Sequence, residues 1–259
     1  MSERKPPEQI ADFEKIYLEE DLFPKRITAW SERPYGLLFY NDDNKDSYDS
    51  NHAVVFRNQV KDLRWMLDDI VQFYSAKGIK PSIYQSISDD GFFEEIRDVL
   101  EEYDFDWWTE EQSYMVLSAE NAISPNPQIT VEKVSQWDDA YATHIFEASG
   151  EPWEIPVAKK VITDKNTLFF IAQYGGIPVG MTYGHIADGV CRVDYLLVSK
   201  AHRNIGVGRA IIHSFVKYCN ENQIESCYLW PDGETAERIY YEAGFRLVAT
   251  KQAGRACLR

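Results

Sequence analysis

One segment near the C-terminus constrains the fold of this chain more than any other. Residues 201–209 read Ala-His-Arg-Asn-Ile-Gly-Val-Gly-Arg, after the mostly apolar stretch 194–198 and before apolar residues spaced three and four apart over 211–219. This order predicts a strand, a glycine-rich turn and a helix. Backbone N–H groups at the start of such a helix point at one spot and carry partial positive charge, and glycine has no Cβ to keep a phosphate away. The segment therefore predicts a turn that binds pyrophosphate.

The spacing of the glycines narrows the choice of ligand. A dinucleotide-binding turn needs a third glycine three residues after the second, and a P-loop needs Lys followed by Ser or Thr. Neither a third glycine at that spacing nor a Lys-Ser or Lys-Thr pair follows Gly208. What remains is the pattern R-x-x-G-x-G, formed by Arg203, Gly206 and Gly208. This pattern resembles the acetyl-coenzyme A loop of the GNAT N-acetyltransferases.

A second motif lies further along the chain. Residues 236–245 read Ala-Glu-Arg-Ile-Tyr-Tyr-Glu-Ala-Gly-Phe, which is similar to the A-x-x-x-Y-x-x-x-G-F element of the same family. Gly244 is placed to end a helix, and Phe245 to begin the next strand. The sequence departs from the family at Gly233, where many relatives carry an asparagine that contacts the cofactor. With both motifs in the family's order, residues 129–259 resemble one GNAT domain.

The predicted fold class is α/β with a mixed sheet. We expect a GNAT fold in residues 125–259 and a smaller, degenerate GNAT-like α/β domain in residues 1–124, joined by the proline-containing segment 124–127. The N-terminal part predicts a similar succession of elements, with strands at 51–56, 82–87 and 114–117 and helices at 62–77 and 91–103. An unrelated α+β domain would show the same alternation. Because its turn at 57–61 has no glycine, we expect no pyrophosphate site in this half.

Negative charge is concentrated in the N-terminal part. Residues 1–124 hold 27 acidic and 13 basic residues, a net charge of −14, whereas residues 125–259 hold 15 and 14, a net charge of −1. Nucleic-acid binding needs a basic surface, so neither DNA nor RNA is expected as a partner. The acidic part either steers a cationic acceptor towards a nearby site or only keeps the chain soluble.

Composition also bounds the compartment and the cofactors. No apolar run reaches about 18 residues, so no membrane-spanning segment is expected. Residues 1–7 lack the apolar stretch of a signal peptide. The four cysteines have no C-x-x-C spacing, and the five histidines have no metal-ligand spacing. We therefore expect a cytoplasmic protein with reduced thiols and no metal; the sequence does not decide its oligomeric state.

The GNAT resemblance implies that acetyl-coenzyme A is the co-substrate. It implies cofactor contacts along the strand end, the turn and the last helix, by Leu196, Leu197, Val198, Arg203, Asn204, Ile205, Gly206, Val207, Gly208, Arg209 and Tyr240. In the family, an amide of the strand before the loop lies near the thioester carbonyl, here that of Leu197 or Val198. The resemblance also implies Tyr240 as the general acid for the departing thiolate, since a phenol pKa of about 10 suits that proton transfer. Apolar packing of the Tyr240 ring is the alternative.

Several residues are candidates for the general base, the group that would take a proton from the amine that accepts the acetyl group. Relatives often carry an acidic residue on the strand before the loop, here Asp194, and a structural pairing of Asp194 with an arginine is the alternative. Glu151 and Glu154, in the segment that usually lines the acceptor pocket, and His185 are further candidates. The resemblance implies acetyl transfer to a primary amine of a small molecule or peptide, by direct attack in a ternary complex. A non-catalytic acetyl-coenzyme A sensor or a protein-interaction module is the alternative function.

Overall fold

The structure, a computed structural model, describes residues 12–224 and 226–259. Its strands are β1 (Ala29–Arg33), β2 (Gly36–Tyr40), β3 (Ala53–Val55), β4 (Ser82–Gln85), β5 (Phe105–Leu117), β6 (Ile129–Val134), β7 (Thr167–Tyr174), β8 (Ile177–Ala187), β9 (Val190–Val198), β10 (Ser226–Leu229) and β11 (Phe245–Leu258). Its helices are α1 (Phe13–Leu22), α2 (Leu63–Lys77), α3 (Phe92–Glu102), α4 (Asp139–Tyr141, continued by a π-helical segment Ala142–Glu147), α5 (Ile155–Val161), α6 (Val207–Glu221) and α7 (Glu234–Glu242). None of these helices is long and apolar enough to cross a membrane.

The chain forms two compact units that do not coincide with a single cut at residue 124. The first unit contains residues 113–249, and the second contains residues 17–112 and 250–259. The end of β5 belongs to the first unit because Met115 and Val116 pair with β10. The end of β11 belongs to the second unit because its last residues pair with β4. Each half of the sequence thus supplies the end of one strand to the unit built mainly by the other half.

The first unit is a mixed sheet with one parallel pair. Its strands lie in the order β5-β10-β9-β8-β7-β6. β6, β7, β8 and β9 are antiparallel neighbours, and β9 is parallel to β10. A parallel pair needs a crossover, and α6 provides it. The apolar stripe of α6, including Ile212, Phe215 and Val216, packs with Phe170 of β7 in the core.

The second unit repeats this order of elements on a smaller scale. Its strands lie in the order β1-β2-β3-β4-β11, with β3 parallel to β4 and α2 as the crossover. Leu67, Ile70 and Tyr74 of α2 form the core with the sheet. The sequence-based prediction missed β1 and β2, which lie on either side of a two-residue turn and supply buried Leu38 and Phe39. The shared topology fits the expected degenerate copy, whose origin stays a prediction.

One buried carboxyl group makes the stability of the second unit sensitive to pH. Asp21, near the end of α1, accepts hydrogen bonds from Ser86 Oγ at 2.6 Å and from the backbone N–H of Ile87 at 3.2 Å. Burial raises the pKa of Asp21 to about 7, and the two hydrogen bonds only partly offset that effect. The folded pKa therefore exceeds the unfolded value of about 3.9.

We expect Asp21→Asn to remove this pH dependence. In the wild type, the favourable contribution of the protonated carboxyl is complete below the unfolded pKa and is lost as the pH rises through the folded pKa. The free energy of unfolding of the variant, relative to that of the wild type, should therefore rise between pH 5 and 7 by up to about 1.4 kcal/mol per pH unit. Above that range the difference should become constant. Urea unfolding at several pH values measures this, with exposed Glu14→Gln as the control. Parallel pH profiles of Asp21→Asn and wild type would contradict the assignment.

Candidate functional site

A gap opens where β9 separates from β10. Their parallel ladder joins Val190–Arg192 to Ser226–Tyr228 and, within the described residues, goes no further, although β9 continues to Val198. Opposite β8, the pairs Met181–Leu197 and Tyr183–Asp194 leave one extra residue on β9. Such a bulge bends the strand and increases its twist. The last residues of β9 therefore turn away from β10 and leave one strand edge open to a ligand.

The predicted turn lies at the end of this strand. Gly206 adopts a left-handed conformation, with φ of 94°, and α6 begins at the next residue without any side-chain N-cap. Asn204 is also left-handed, with φ of 66°. Asn126 Nδ2 donates a hydrogen bond to the Ile205 carbonyl at 2.9 Å, and Arg203 Nε donates to the Val198 carbonyl at 3.3 Å. Two side-chain hydrogen bonds thus hold the turn in place. The first backbone N–H groups of α6 have no side-chain cap.

Gly208 lies against the apolar wall of the gap. A Cβ at this position would be 3.7 Å from Leu196 Cδ2, 3.7 Å from Ile239 Cδ1 and 3.9 Å from Val198 Cγ2. These are ordinary van der Waals distances, so the site has room for a small group beside the backbone. Leu196 and Val198 are half-buried, whereas Leu197 is buried. Leu196 and Val198 of β9 therefore lie on the same side as Ile239 of α7, next to Gly208, whereas Leu197 is turned into the core.

The side chain of Arg209 forms an ion pair within the protein, and its predicted contact with the cofactor stays a prediction. Its Nε and Nη2 atoms donate to Glu242 at 2.7 and 2.8 Å, which forms a bidentate ion pair between α6 and α7. This pair lowers the pKa of Glu242 and raises that of Arg209. The Arg209 guanidinium is therefore engaged with α7, and the residue retains its backbone N–H, close to the helix start, for a ligand.

Tyr240 lies in the core beside the gap. Its ring is 6.0 Å from that of Phe245, and only 7% of the residue is exposed, against 57% for Tyr241. Burial raises the pKa of the Tyr240 phenol well above its usual range, and the carboxylates of Asp194 and Asp232 raise it further. The two predicted catalytic residues, Tyr240 and Asp194, are thus close enough to interact electrostatically. The structure shows the packing of the Tyr240 ring, and its role as proton donor stays a prediction.

Asp194 is engaged in an ion pair on the bulged strand. Its Oδ2 lies 2.6 Å from Arg192 Nη1, and its Oδ1 accepts the Tyr195 backbone N–H at 3.0 Å. Its carbonyl accepts Thr182 Oγ1 at 3.1 Å. These contacts match the structural alternative for Asp194. Because both carboxylate oxygens already have partners, the geometry does not favour Asp194 as a proton acceptor.

A group that we term the acidic-aromatic cluster gathers near the bulge, formed by Glu151, Trp153, Glu154 and Tyr195. Glu151 Oε2 accepts Trp153 Nε1 at 2.7 Å and Tyr195 Oη at 3.5 Å. The Trp153 and Tyr195 rings meet edge to face at 6.2 Å. Burial, and then the charges of Glu154 and Glu151, raise the pKa of Tyr195 above its usual range. The sequence-based prediction missed Tyr195, because its place depends on the bulge.

His185 packs inside the core of the first unit. It is fully buried, with Nδ1 at 3.0 Å from Thr167 Oγ1 and its ring at 5.5 Å from that of Tyr183. The burial of both Thr167 and Tyr183 leaves the imidazole inside the sheet core. This setting favours the structural interpretation of His185 over a catalytic one.

Comparison with known families identifies the part of the chain that holds this site. Residues 131–245 match the model of the Acetyltransferase (GNAT) family. These residues belong to that family. The GNAT segment spans the strands β7 to β10, the turn and α7, so it contains every predicted contact residue. No curated protein sequence matches the chain.

Solved structures share the fold along nearly the whole chain. A GCN5-related N-acetyltransferase from Kribbella flavida is 17% identical with a TM-score of 0.67, and the match covers 94% of each chain. A functionally unknown conserved protein from Staphylococcus epidermidis is 16% identical with a TM-score of 0.63, covering 93% of this chain and 97% of that one. A tandem GNAT protein from the clavulanic acid biosynthesis pathway is 10% identical with a TM-score of 0.54, covering 80% and 75%. The predicted α/β class with a mixed sheet and a GNAT fold is confirmed.

We expect Arg209 to act mainly as a clamp between α6 and α7. Arg209→Ala and Glu242→Ala should each destabilise the GNAT segment, and a double-mutant cycle should give a coupling of roughly 0.5–1 kcal/mol because the pair is partly exposed. Thermal and urea unfolding at low and high salt measure the coupling, which salt should weaken. The exposed pair of Lys217 and Glu221, at 3.8 Å, is the control and should couple less. A coupling indistinguishable from zero would contradict the clamp.

Proposed function

We propose that this protein transfers an acetyl group from acetyl-coenzyme A to a primary amine. The observation that carries the proposal is the start of α6, which lacks a side-chain cap and follows left-handed Gly206 at the open edge of β9. The partial positive charge and free N–H groups of such a helix start suit a pyrophosphate. The GNAT match of residues 131–245 supports the same chemistry.

The corresponding turn of the second unit supports a single cofactor per chain. There α2 begins after Asp62, whose carboxylate accepts the Trp65 N–H at 3.0 Å. An aspartate N-cap satisfies a helix-start donor and places negative charge where a phosphate would bind. We therefore propose that only the turn at Arg203, Gly206 and Gly208 binds acetyl-coenzyme A.

The catalytic roles follow from the charges that develop in the reaction. The thioester oxygen becomes negative as the amine attacks, and we propose that the backbone N–H of Leu197 or Val198 stabilises it at the open edge of β9. Tyr240 is the proposed donor to the thiolate, since a phenol carries its proton at neutral pH and the A-x-x-x-Y-x-x-x-G-F motif points to this residue. For the amine proton we propose Glu151 or Glu154 in place of Asp194, because Asp194 is held by Arg192.

The acceptor that best fits the acidic-aromatic cluster is a cationic amine. Two carboxylates from Glu151 and Glu154 favour a positive charge, and the exposed ring of Trp153 adds a surface for a cation or an apolar stem. Both a small-molecule amine and a lysine side chain of a peptide have this chemistry. We propose this class of acceptor.

The reduced cysteines support a cytoplasmic location. None of the four cysteines, all within the described residues, forms a disulfide. Reduced thiols are typical of proteins in a reducing compartment. We propose that the protein acts there.

A sensor without catalysis is the second candidate function. The raised pKa of Tyr240 makes it a weaker acid than an ordinary phenol, which disfavours proton donation to a thiolate. A weakly acidic Tyr240 would suit a protein that binds acetyl-coenzyme A but acetylates no amine. Calorimetry combined with assays of free thiol release against polyamines, aminoglycosides and lysine peptides distinguishes the two functions.

We expect Gly206→Ala to weaken acetyl-coenzyme A binding at least 10-fold. The left-handed φ of 94° strains any other residue, so the turn would lose the backbone arrangement that aims its N–H groups. Gly189→Ala, at a φ of 82° in the turn between β8 and β9, is the matched control with similar strain but no role in binding. Calorimetry should give one site per wild-type chain. Equal affinities of the two variants, or two sites per chain, would contradict the assignment.

We expect Tyr240→Phe to lower turnover by roughly 10²–10⁴-fold, the usual range for loss of a general acid. The ring and its packing against Phe245 remain, so acetyl-coenzyme A affinity should change little. Tyr241→Phe, on the exposed side of α7, is the matched control and should keep full activity. Steady-state thiol release measures both. Full turnover by Tyr240→Phe would return this residue to a packing role.

A further inference from the structure

Three cysteines from three different elements meet in the core of the first unit. Cys191 of β9 and Cys227 of β10 are direct partners in the parallel ladder, and Cys219 comes from the last turns of α6. All three are fully buried, and their Sγ atoms lie within 4.8 Å of one another. They are the one group of three potential metal ligands that the described residues bring together. Cys257, the fourth cysteine, lies outside the group.

The surroundings of these thiols are apolar. Ile212, Phe215 and Val216 belong to the same apolar core cluster. Burial raises the pKa of the Cys227 thiol well above its usual range, and hydrogen bonding with the Cys191 and Cys219 thiols raises it further. A bare thiolate is therefore disfavoured here, and the cysteines will lose their protons only to a ligand that binds sulfur strongly.

Charge decides which thiophilic ligand suits this site. Three thiolates around Zn²⁺ or Cd²⁺ leave a net charge of −1, and around Cu⁺ a net charge of −2, and either would be buried among apolar side chains. An uncompensated buried charge is costly. A trivalent centre with three thiolates is neutral and needs no fourth ligand. Among soft elements, trivalent arsenic meets both conditions, because it binds three sulfur atoms in a pyramid.

We propose that Cys191, Cys219 and Cys227 form a binding site for a trivalent thiophilic metalloid, with arsenite as its representative. As(OH)₃ reacts with three thiols; three As–O bonds break, three As–S bonds form, and each thiol proton leaves with a hydroxide as water. The oxidation state of arsenic does not change, so no oxidant or reductant is required. The site does not depend on the acetyl-transfer proposal.

The position of the site gives binding a structural consequence. Cys191 lies one residue before Arg192, where the ladder between β9 and β10 ends. An arsenic atom would tie β9, β10 and α6 together one residue pair before the end of the ladder. A ligand that binds the folded state in preference to the unfolded state raises the unfolding temperature. Because the thiols are buried, uptake should require local opening and be slow compared with binding to an exposed cysteine.

The test is titration of the full chain with sodium arsenite in a phosphine reductant, followed by native mass spectrometry. We expect one adduct per chain, heavier by one arsenic atom and lighter by three hydrogens, together with a higher unfolding temperature. Cys257→Ser should keep the adduct. Cys219→Ala should lose it, and Cys191→Ala should give the same loss if Cys219→Ala does not fold. Cd²⁺ should show no saturable binding at concentrations where arsenite saturates.

Several results would overturn the proposal. They are an absent adduct on the folded wild type, an adduct of equal affinity on folded Cys219→Ala, or loss of the adduct in Cys257→Ser. Tighter binding of Cd²⁺ than of arsenite would contradict the argument from charge. None of these measurements uses acetyl-coenzyme A, so a negative result here leaves the acetyl-transfer proposal unaffected, and the reverse also holds.

Discussion

The short parallel ladder between β9 and β10 is the constraint on which the site depends. Three residues of each strand pair, and the bulge in β9 then directs its remaining residues away from β10. Arg192, at the end of the ladder, binds Asp194 at the bulge, so one ion pair links the end of the ladder to the bulge. The open strand edge follows from this divergence, and the turn before α6 lies at the end of the diverging strand.

Two crossovers of the same topology differ in their electrostatics. In each unit a helix connects two parallel strands, and its first turn has donors that the helix itself does not use. In the second unit the carboxylate of Asp62 satisfies one of them. In the first unit Gly206 supplies no side chain, so the donors are available to an anion. A similar succession of strands and helices therefore produces a helix start without a side-chain cap in one unit and a capped helix start in the other.

The environment of Tyr240 combines a requirement for packing with one for chemistry. Its ring contributes to the core with Phe245, while Asp194 and Asp232 act electrostatically on its phenol. Burial beside two carboxylates keeps the phenol protonated over a wide pH range. The same environment reduces its acidity. Proton donation to a thiolate therefore depends on how strongly bound reactants would compensate for the charges of Asp194 and Asp232. Strong compensation would suit a transferase, whereas weak compensation would suit a protein that only binds acetyl-coenzyme A.

The sequence by itself determined the local elements with clear chemical signatures. The strand, glycine-rich turn and helix around Gly206 were predictable because glycine placement and apolar periodicity are local properties. The helix Leu63–Lys77 was predictable for the same reason, with Asp62 as its N-cap and Gly78, at a φ of 66°, as its end. The candidate catalytic role of Tyr240 came from its place in a motif. Each of these inferences uses residues within one or two helical turns of each other.

Only the tertiary structure decided the features that join distant residues. The exchange of β5 and β11 between the units, the bulge at Tyr195 and the partnership of Arg209 with Glu242 depend on strand register and helix packing. The meeting of Cys191, Cys219 and Cys227 depends on them as well, since the sequence shows only scattered cysteines. Pairing register is set by the burial of whole sheet faces, and a shift of one residue would move every side chain to the opposite face. Local patterns therefore identify the glycine-rich turn, whereas the surroundings of the candidate catalytic groups require the folded chain.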